Sequence, residues 1–461
     1  MSKQKVIIIG AGLSGSMLAI YLAKRNIESE IYETRADMRL EKMSAGRSIN
    51  LALSNRGIAA LKEIGLDEYM LAEAVPMFGR MIHSADGQTK LLPYSGRKGE
   101  FINSVSRAGL NIALMNEAEK YNGVKFYFDE KCVDFECKSG AAMFESGKIA
   151  KGDTLIATDG AGSVVRNAMQ HGGVSRFNFS QVWLEHGYKE LHIPPSATGD
   201  FQMEKNALHI WARGSFMMIA LANFDGSFTC TLFLAHKGGI ENAEFSDLTN
   251  VRASATKYSF EQLTDENSLM NFFQTNFADA IPLMPTLIED FFANPIGNLG
   301  TIKCFPWNAG GKSLLLGDAA HAVVPFYGQG MNASFEDCRI LNQLISQHGT
   351  NWETVFDEFT KQRKPNTDAI AEMAEENFYE MRDAVADETF QKKRELETLL
   401  EQISPNYFSK YSMVTFREDL PYSVAKRKGN AQDKLLMEIC AKIEDVSELD
   451  LNKVLKKVQD L

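Results

Sequence analysis

Residues Lys5–Gly15 read KVIIIGAGLSG, an apolar run that ends at the first of three glycines. Lys5 to Ile9 has the length and branching of a buried strand, and Leu18, Tyr21 and Leu22 open a helix behind it. A second strand, Glu30 to Glu33, follows, so the segment reads as a βαβ unit. The glycines stand at Gly10, Gly12 and Gly15, between strand and helix. The first permits a tight turn, the second lets backbone approach a pyrophosphate, and the third lets helix and strand pack closely. The helix start adds unpaired N–H groups and a partial positive charge. Glu33 stands about 20 residues beyond the loop, where a carboxylate binds ribose hydroxyls. A bound dinucleotide with an unphosphorylated adenosine ribose is expected, either FAD or NAD.

Outward from this unit, a strand near Leu155–Thr158 runs into DGAGS, and another, Ser313 to Gly317, runs into Asp318. Pro325, Gly328 and Gly330 interrupt the chain after that acid. Beyond Asn332 the spacing is helical, with Met331, Phe335, Cys338, Leu341 and Ile345 on one face. A ligand is expected where this strand gives way to helix. From about 180 to 235 the pattern is β-rich, with Asp225–Gly226 as a hairpin turn. From about 350 onward it is Glu/Lys-rich and helical.

The 461 residues exceed one core, and 44% apolar with 24% charged is ordinary for a globular chain. A net charge of −11 argues against nucleic acid or anionic lipid as partner. The six cysteines form no CxxC pair, so they read as packing residues in a reducing compartment, and no metal site is expected. MSKQKVIIIGAG enters a strand at once, which predicts no signal peptide, and no run of about 18 apolar residues occurs. A soluble cytoplasmic protein is the expectation.

Three ordered motifs, GRSINLALSNRGIAALKEIGL (46–66), ATDGAGSVVR (157–166) and GDAAHAVVPFYGQGMNA (317–333), resemble the class A flavoprotein monooxygenases. GRMIHS (79–84), SVSR (104–107), HGYKEL (186–191), LHIW (208–211) and YSMVTF (411–416) extend the resemblance nearly end to end, to the branch that hydroxylates L-kynurenine. The resemblance implies an α/β fold: a Rossmann-like FAD-binding domain of the glutathione-reductase type, an inserted antiparallel-sheet substrate domain and a C-terminal helical region. The boundaries expected are 1–175, with a substrate-contacting segment at about 78–100, then 176–295, 296–360 and 361–461. FAD is the implied cofactor, with NADPH, O2 and L-kynurenine as co-substrates. In the reaction the resemblance implies, NADPH would reduce the flavin, O2 would add at C4a, and the resulting hydroperoxide would attack the ring ortho to its amine. No protein nucleophile is needed. A bacterial form without the C-terminal membrane anchor of eukaryotic members is expected, as monomer or homodimer.

Carried over by motif, the FAD-binding residues are Gly10, Gly12, Ser14, Gly15, Glu33, Arg35, Ala52, Arg107, Asp159, Asp318, Gly330, Met331 and Asn332. Thr158 departs from the alanine common at its position. For substrate, the resemblance assigns Arg80 and Tyr94 to the α-carboxylate, although most arginines are solvated surface residues. Ile370, Met373, Asn377 and Met381 share a helical face, and a lone amide on an apolar stripe needs a partner. That partner is either a neighbouring backbone group or, by resemblance, the polar end of kynurenine, shared with Tyr411. Met217, Ile219 and Leu221, with Thr231 and Phe233 on the next strand, share strand faces as dry walls or as core. Pro325 and Phe326 would wall flavin from substrate. His321 and His186 read as structural, and Tyr327 has no role by pattern. A hydroxylase of another small aromatic acid, or a non-enzymatic escort protein on the same scaffold, remains an alternative.

Overall fold

A computed structural model describes residues 4–40, 50–172, 174–238, 258–383 and 387–461. Residues 46–49 of the 46–66 motif lie outside the described residues. Lys5–Ile9 is the central strand of a five-stranded parallel sheet. Glu28–Tyr32 and then Val124–Tyr127 lie on one side; Thr154–Ala157 and then Ser313–Leu315 lie on the other. The strands are apolar because they are buried on both faces, every residue of Val6–Ile9, Thr154–Ala157 and Ser313–Leu315 being buried, as a parallel sheet requires. Helices Leu13–Ala23, Arg107–Ala118 and Gly330–His348 share one core with it. Placing 313–315 beside 154–157 brings three distant loops to the carboxyl ends of adjacent strands, where open α/β sheets bind ligands.

The second sheet has seven strands, in the order Gly297–Phe305, Asn178–Ile193, Phe228–Ala235, Met217–Ala222, Ala207–Ala212, Gly79–His83 and Thr89–Pro93. It is antiparallel except where Gly79–His83 joins Ala207–Ala212 in parallel. The expected hairpin turn at Asp225–Gly226 forms, with Gly226 at φ +90°. Alternation divides the sheet. Met217, Leu221 and Phe233 pack with Phe326, Phe378 and Tyr411, while Met218, Ala220 and Leu232 face helices Glu266–Asn276 and Leu287–Ala293. A 32-residue helix, Trp352–Asp383, crosses from the first sheet to the second, and helices Glu388–Ile403, Lys410–Thr415 and Tyr422–Cys440 pack beyond it. Pro365 lies inside that long helix. No described helix is long and apolar enough to cross a membrane.

Candidate active site

At the nucleotide loop two of the three glycines are required by contact. Gly10 sits at φ +101°, and a Cβ on it would lie 2.6 Å from the Thr158 carbonyl oxygen; a Cβ on Gly15 would lie 2.0 Å from that of Gly10. A Cβ on Gly12 would meet nothing within 4 Å, so backbone there faces open space at a helix start. Buried Glu33 accepts from the Ala11 N–H at 2.9 Å and from Arg35 N and Nε at 3.0 and 2.8 Å. Burial would raise its pKa, but Arg35 and the Ala11 N–H hold it below the usual carboxylate range. Three of roughly four acceptor positions are filled, leaving one for a ribose hydroxyl. Arg35 itself is exposed and bound to Glu33.

The later motifs meet this loop. Thr158 donates to the Ile9 and Gly10 carbonyls at 3.0 and 2.9 Å, so the departure from alanine tightens the turn. Asp159 Oδ2 accepts from the Val164 N–H at 2.8 Å, capping helix Val164–Gly172. Its Oδ1 is buried without a partner, and burial pushes its pKa up. A Cβ on Gly317 would meet Ser14 Oγ at 2.9 Å and Ser334 Oγ at 3.0 Å, so the glycine loop and the 317–333 motif touch. Asp318 is exposed beside that contact. The following helix begins at Gly330, so the backbone N–H groups of Met331 and Asn332 belong to its first turn. The Asn332 side chain is committed internally. It donates to Ala52 O and Gly328 O, both at 2.8 Å, and accepts from the Ser54 N–H at 3.0 Å. Arg107 is exposed at the start of its helix, near Tyr188 and Glu190, and works against the rise that burial causes in their pKa values. An open cradle at Gly12, an orphaned Asp159 oxygen and a free acceptor on Glu33 fit FAD.

The substrate-side residues also converge. Arg80 leaves strand Gly79–His83 toward the pocket and is only 8% exposed. Its Nε has no hydrogen-bond partner, and no ion pair holds the guanidinium among the described residues. Instead it faces two rings, Tyr411 at 5.1 Å and Tyr94 at 5.8 Å. Tyr94 and Tyr411 stack with centroids 5.2 Å apart, and Tyr327 stacks on Tyr411 at 5.6 Å. The Tyr94 hydroxyl is buried beside Arg80 and Tyr411, and burial pushes its pKa well up. Tyr327, without a role by pattern, is the third ring of this stack.

Asn377 has a backbone partner and also lines the pocket that Arg80 enters. Its Nδ2 donates to the Phe326 carbonyl at 2.6 Å, latching the long helix to the turn Pro325–Tyr327. The amide on the apolar stripe thus has a backbone partner, and Phe326 packs on Phe378 and Phe233 at 4.4 and 4.9 Å. Pro325 is exposed. His321 bonds to Asp337 at 2.6 Å, and His186 to the Ser215 carbonyl at 2.7 Å.

Arg80, Tyr327, Asn377 and Tyr411 line a pocket with Glu380, Lys393, Arg394, Glu397 and Lys410. Those five charged residues escaped the sequence reading, since Glu/Lys-rich helices read as solvated. Yet Phe390, Lys393, Glu397 and Leu400 are buried at helical spacing, so the charges ride an apolar stripe. That coincidence was the available signal. Lys393 pairs with Glu397 at 3.0 Å and Asp433 at 2.6 Å, and Lys410 with Asp433 at 2.6 Å. Gln329 was also missed: it is buried beside the flavin-side turn and accepts from the Tyr422 hydroxyl at 2.9 Å.

A dinucleotide cradle together with a pocket that holds a buried arginine without an ion pair points to an FAD-dependent monooxygenase. The FAD binding domain family matches residues 3–236 and 301–374. Kynurenine 3-monooxygenase of Myxococcus xanthus is 43% identical over 99% of this chain and 95% of its own length. That of Anopheles gambiae is 40% identical over 94% and 86%. Among solved structures, 2-methyl-3-hydroxypyridine-5-carboxylic acid oxygenase superposes with a TM-score of 0.65 at 17% identity, covering 86% of this chain and 96% of that one, which shows the fold. Pseudomonas aeruginosa PqsL does so at 0.63 and 16%, covering 82% and 99%. The chain belongs to the kynurenine 3-monooxygenase family.

Proposed function

We propose that the protein hydroxylates L-kynurenine at the ring carbon ortho to the amine: kynurenine, NADPH, H⁺ and O2 give 3-hydroxykynurenine, NADP⁺ and water. Family membership over nearly the whole chain supports the reaction class. The observation that carries the substrate is the buried Arg80, unpaired between Tyr94 and Tyr411. A buried guanidinium without a counter-ion is costly, and an α-carboxylate would supply that charge.

Bound FAD would supply the reducing equivalents taken from NADPH and the activation of O2; the protein's part is binding, orientation and dryness. Gly10, Gly12, Ser14 and Gly15 hold the pyrophosphate, Glu33 the adenosine ribose, and Asp318 the hydroxyls nearer the flavin. Ala52, Arg107, Asp159, Gly330, Met331 and Asn332 complete that cofactor shell, Asn332 by fixing the loop. Arg80 and Tyr94 anchor the carboxylate. Met217, Ile219, Leu221, Thr231, Phe233 and Phe326 keep water from the ring, while Asn377 and Tyr411 close the polar end.

NADPH oxidation with and without L-kynurenine, with the product identified, tests the reading. Stimulation with 3-hydroxykynurenine formed is expected; no stimulation and no product would sink it. Asp318→Ala should lower flavin content after dialysis without changing the fold, by about 0.5–1.5 kcal/mol of binding, the usual worth of one hydrogen bond.

A further inference from the structure

Arg56 is 1% exposed, yet no motif assignment gives it a role. It lies on helix Asn55–Ile64, directly after the strand that abuts the flavin-side loop. Its Nε donates to Val414 O at 2.9 Å, and Nη2 donates to Arg417 O at 2.9 Å and to Leu420 O. The neighbouring Asn55 donates to Phe416 O at 3.1 Å. Two consecutive residues of the nucleotide-binding half thus satisfy four carbonyls at and beyond the end of helix Lys410–Thr415, which carries Tyr411. Helix ends leave such carbonyls without intrahelical partners, and a cation there also meets the negative end of the helix dipole.

The remaining contacts run the other way. Arg56 Nη1 meets Glu336 Oε1 at 2.7 Å, while Glu336 Oε2 meets Arg363 on the long helix. Arg363 Nε meets Asp337 Oδ1 at 2.6 Å. Glu336 and Asp337 belong to the helix whose first turn holds Met331 and Asn332. Two buried cations therefore balance two buried carboxylates across three helices. Arg56 also lies 3.9 Å over the Tyr422 ring, whose hydroxyl holds Gln329. Buried ion pairs contribute little net stability compared with apolar packing, so geometry is what this arrangement can offer.

We propose that Arg56 is a positioning residue: by fixing the chain from Val414 to Leu420 against the flavin-side helix, it sets Tyr411 over Arg80 and couples pocket closure to the cofactor site. The guanidinium fork reaches three carbonyls and a carboxylate at once, which an ammonium cannot do. The kinetic arm rests on the hydroxylase reading above; the exchange arm does not.

The test uses FAD-loaded Arg56→Lys and Arg56→Gln. Hydrogen–deuterium exchange should speed at least tenfold in peptides covering 410–421 in both variants, with 330–345 protected in Arg56→Lys. In turnover, Arg56→Lys should raise KM for kynurenine at least tenfold with kcat changed less than threefold, and should divert NADPH oxidation toward hydrogen peroxide. Unchanged exchange over 410–421 would overturn the proposal whatever the substrate proves to be. Faster exchange with unchanged KM and full coupling would overturn the link to Tyr411. If Arg56→Gln does not fold, Arg56→Lys decides alone, by exchange over 410–421 and by KM.

Discussion

The seven-stranded sheet carries polar groups on both faces and treats them in opposite ways. On the rear face His83 meets Asp279 at 2.9 Å and His209 at 2.8 Å, and His209 meets the Glu204 carbonyl at 2.7 Å. Trp211 donates to the same Asp279 oxygen at 2.8 Å and stacks on His83 at 3.9 Å. Both ends of the ring pair are thus met by acceptors, Asp279 at one and a backbone carbonyl at the other. On the front face, three residues along the same strand, Arg80 has no such partner. A satisfied polar chain is a structural device, while a stranded cation of equal burial awaits a ligand.

Removing the stranded charge should have the largest effect. Arg80→Ala is expected to raise KM for kynurenine by about 2–5 kcal/mol, roughly thirtyfold to several-thousandfold, with flavin content unchanged. A normal KM would erase the distinction between the faces. Met218→Ala cuts the rear core, where Met218 is fully buried, and should cost about 2–5 kcal/mol of stability by urea unfolding while leaving KM alone. If KM moves as much as stability does, the faces are not separable.

Acid sharpens the contrast further. Burial depresses the His209 pKa to about 4 from an ordinary 6.5. Between those values the unfolded chain binds a proton that the folded chain refuses, so this contribution to stability is complete above about pH 6.5 and is lost as pH falls. The slope is up to about 1.4 kcal/mol per pH unit. Urea midpoints from pH 7 to 4.5 should fall with that slope, and His209→Gln should flatten it even if it lowers every midpoint. The smallest effect expected is that of Asn377→Ala, about 1 kcal/mol from the lost bond to Phe326 O, read as a modest KM increase. A hundredfold increase would mean that Asn377 touches substrate directly.

The nucleotide half was legible because its physics is local. The loop at Gly10–Gly15 is fixed by contacts with Thr158 and with itself, so residue type and spacing report it directly. The strand faces of Met217, Ile219, Leu221 and Phe233 followed from period two. The polar end of the pocket was less legible, because nothing near Arg80 in sequence announces Tyr411, Lys393 or Lys410. Those residues meet it through the packing of helices more than 300 positions away. Asn377 shows the limit: its stripe revealed that an amide was buried, and only the fold supplied its partner. Tyr327 and Gln329 were hidden for the same reason, since their stacking and hydrogen bonding are made wholly with the C-terminal helices and Ser54.

Glu33 constrains what engineering can reach. The acid proposed above to hold the adenosine ribose also receives the Ala11 N–H inside the glycine loop. Any attempt to retune nucleotide preference by replacing that acid with a neutral or basic side chain would unmoor the loop at the same stroke. Ligand choice and backbone integrity share one carboxylate, so a redesign must first give Ala11 another acceptor.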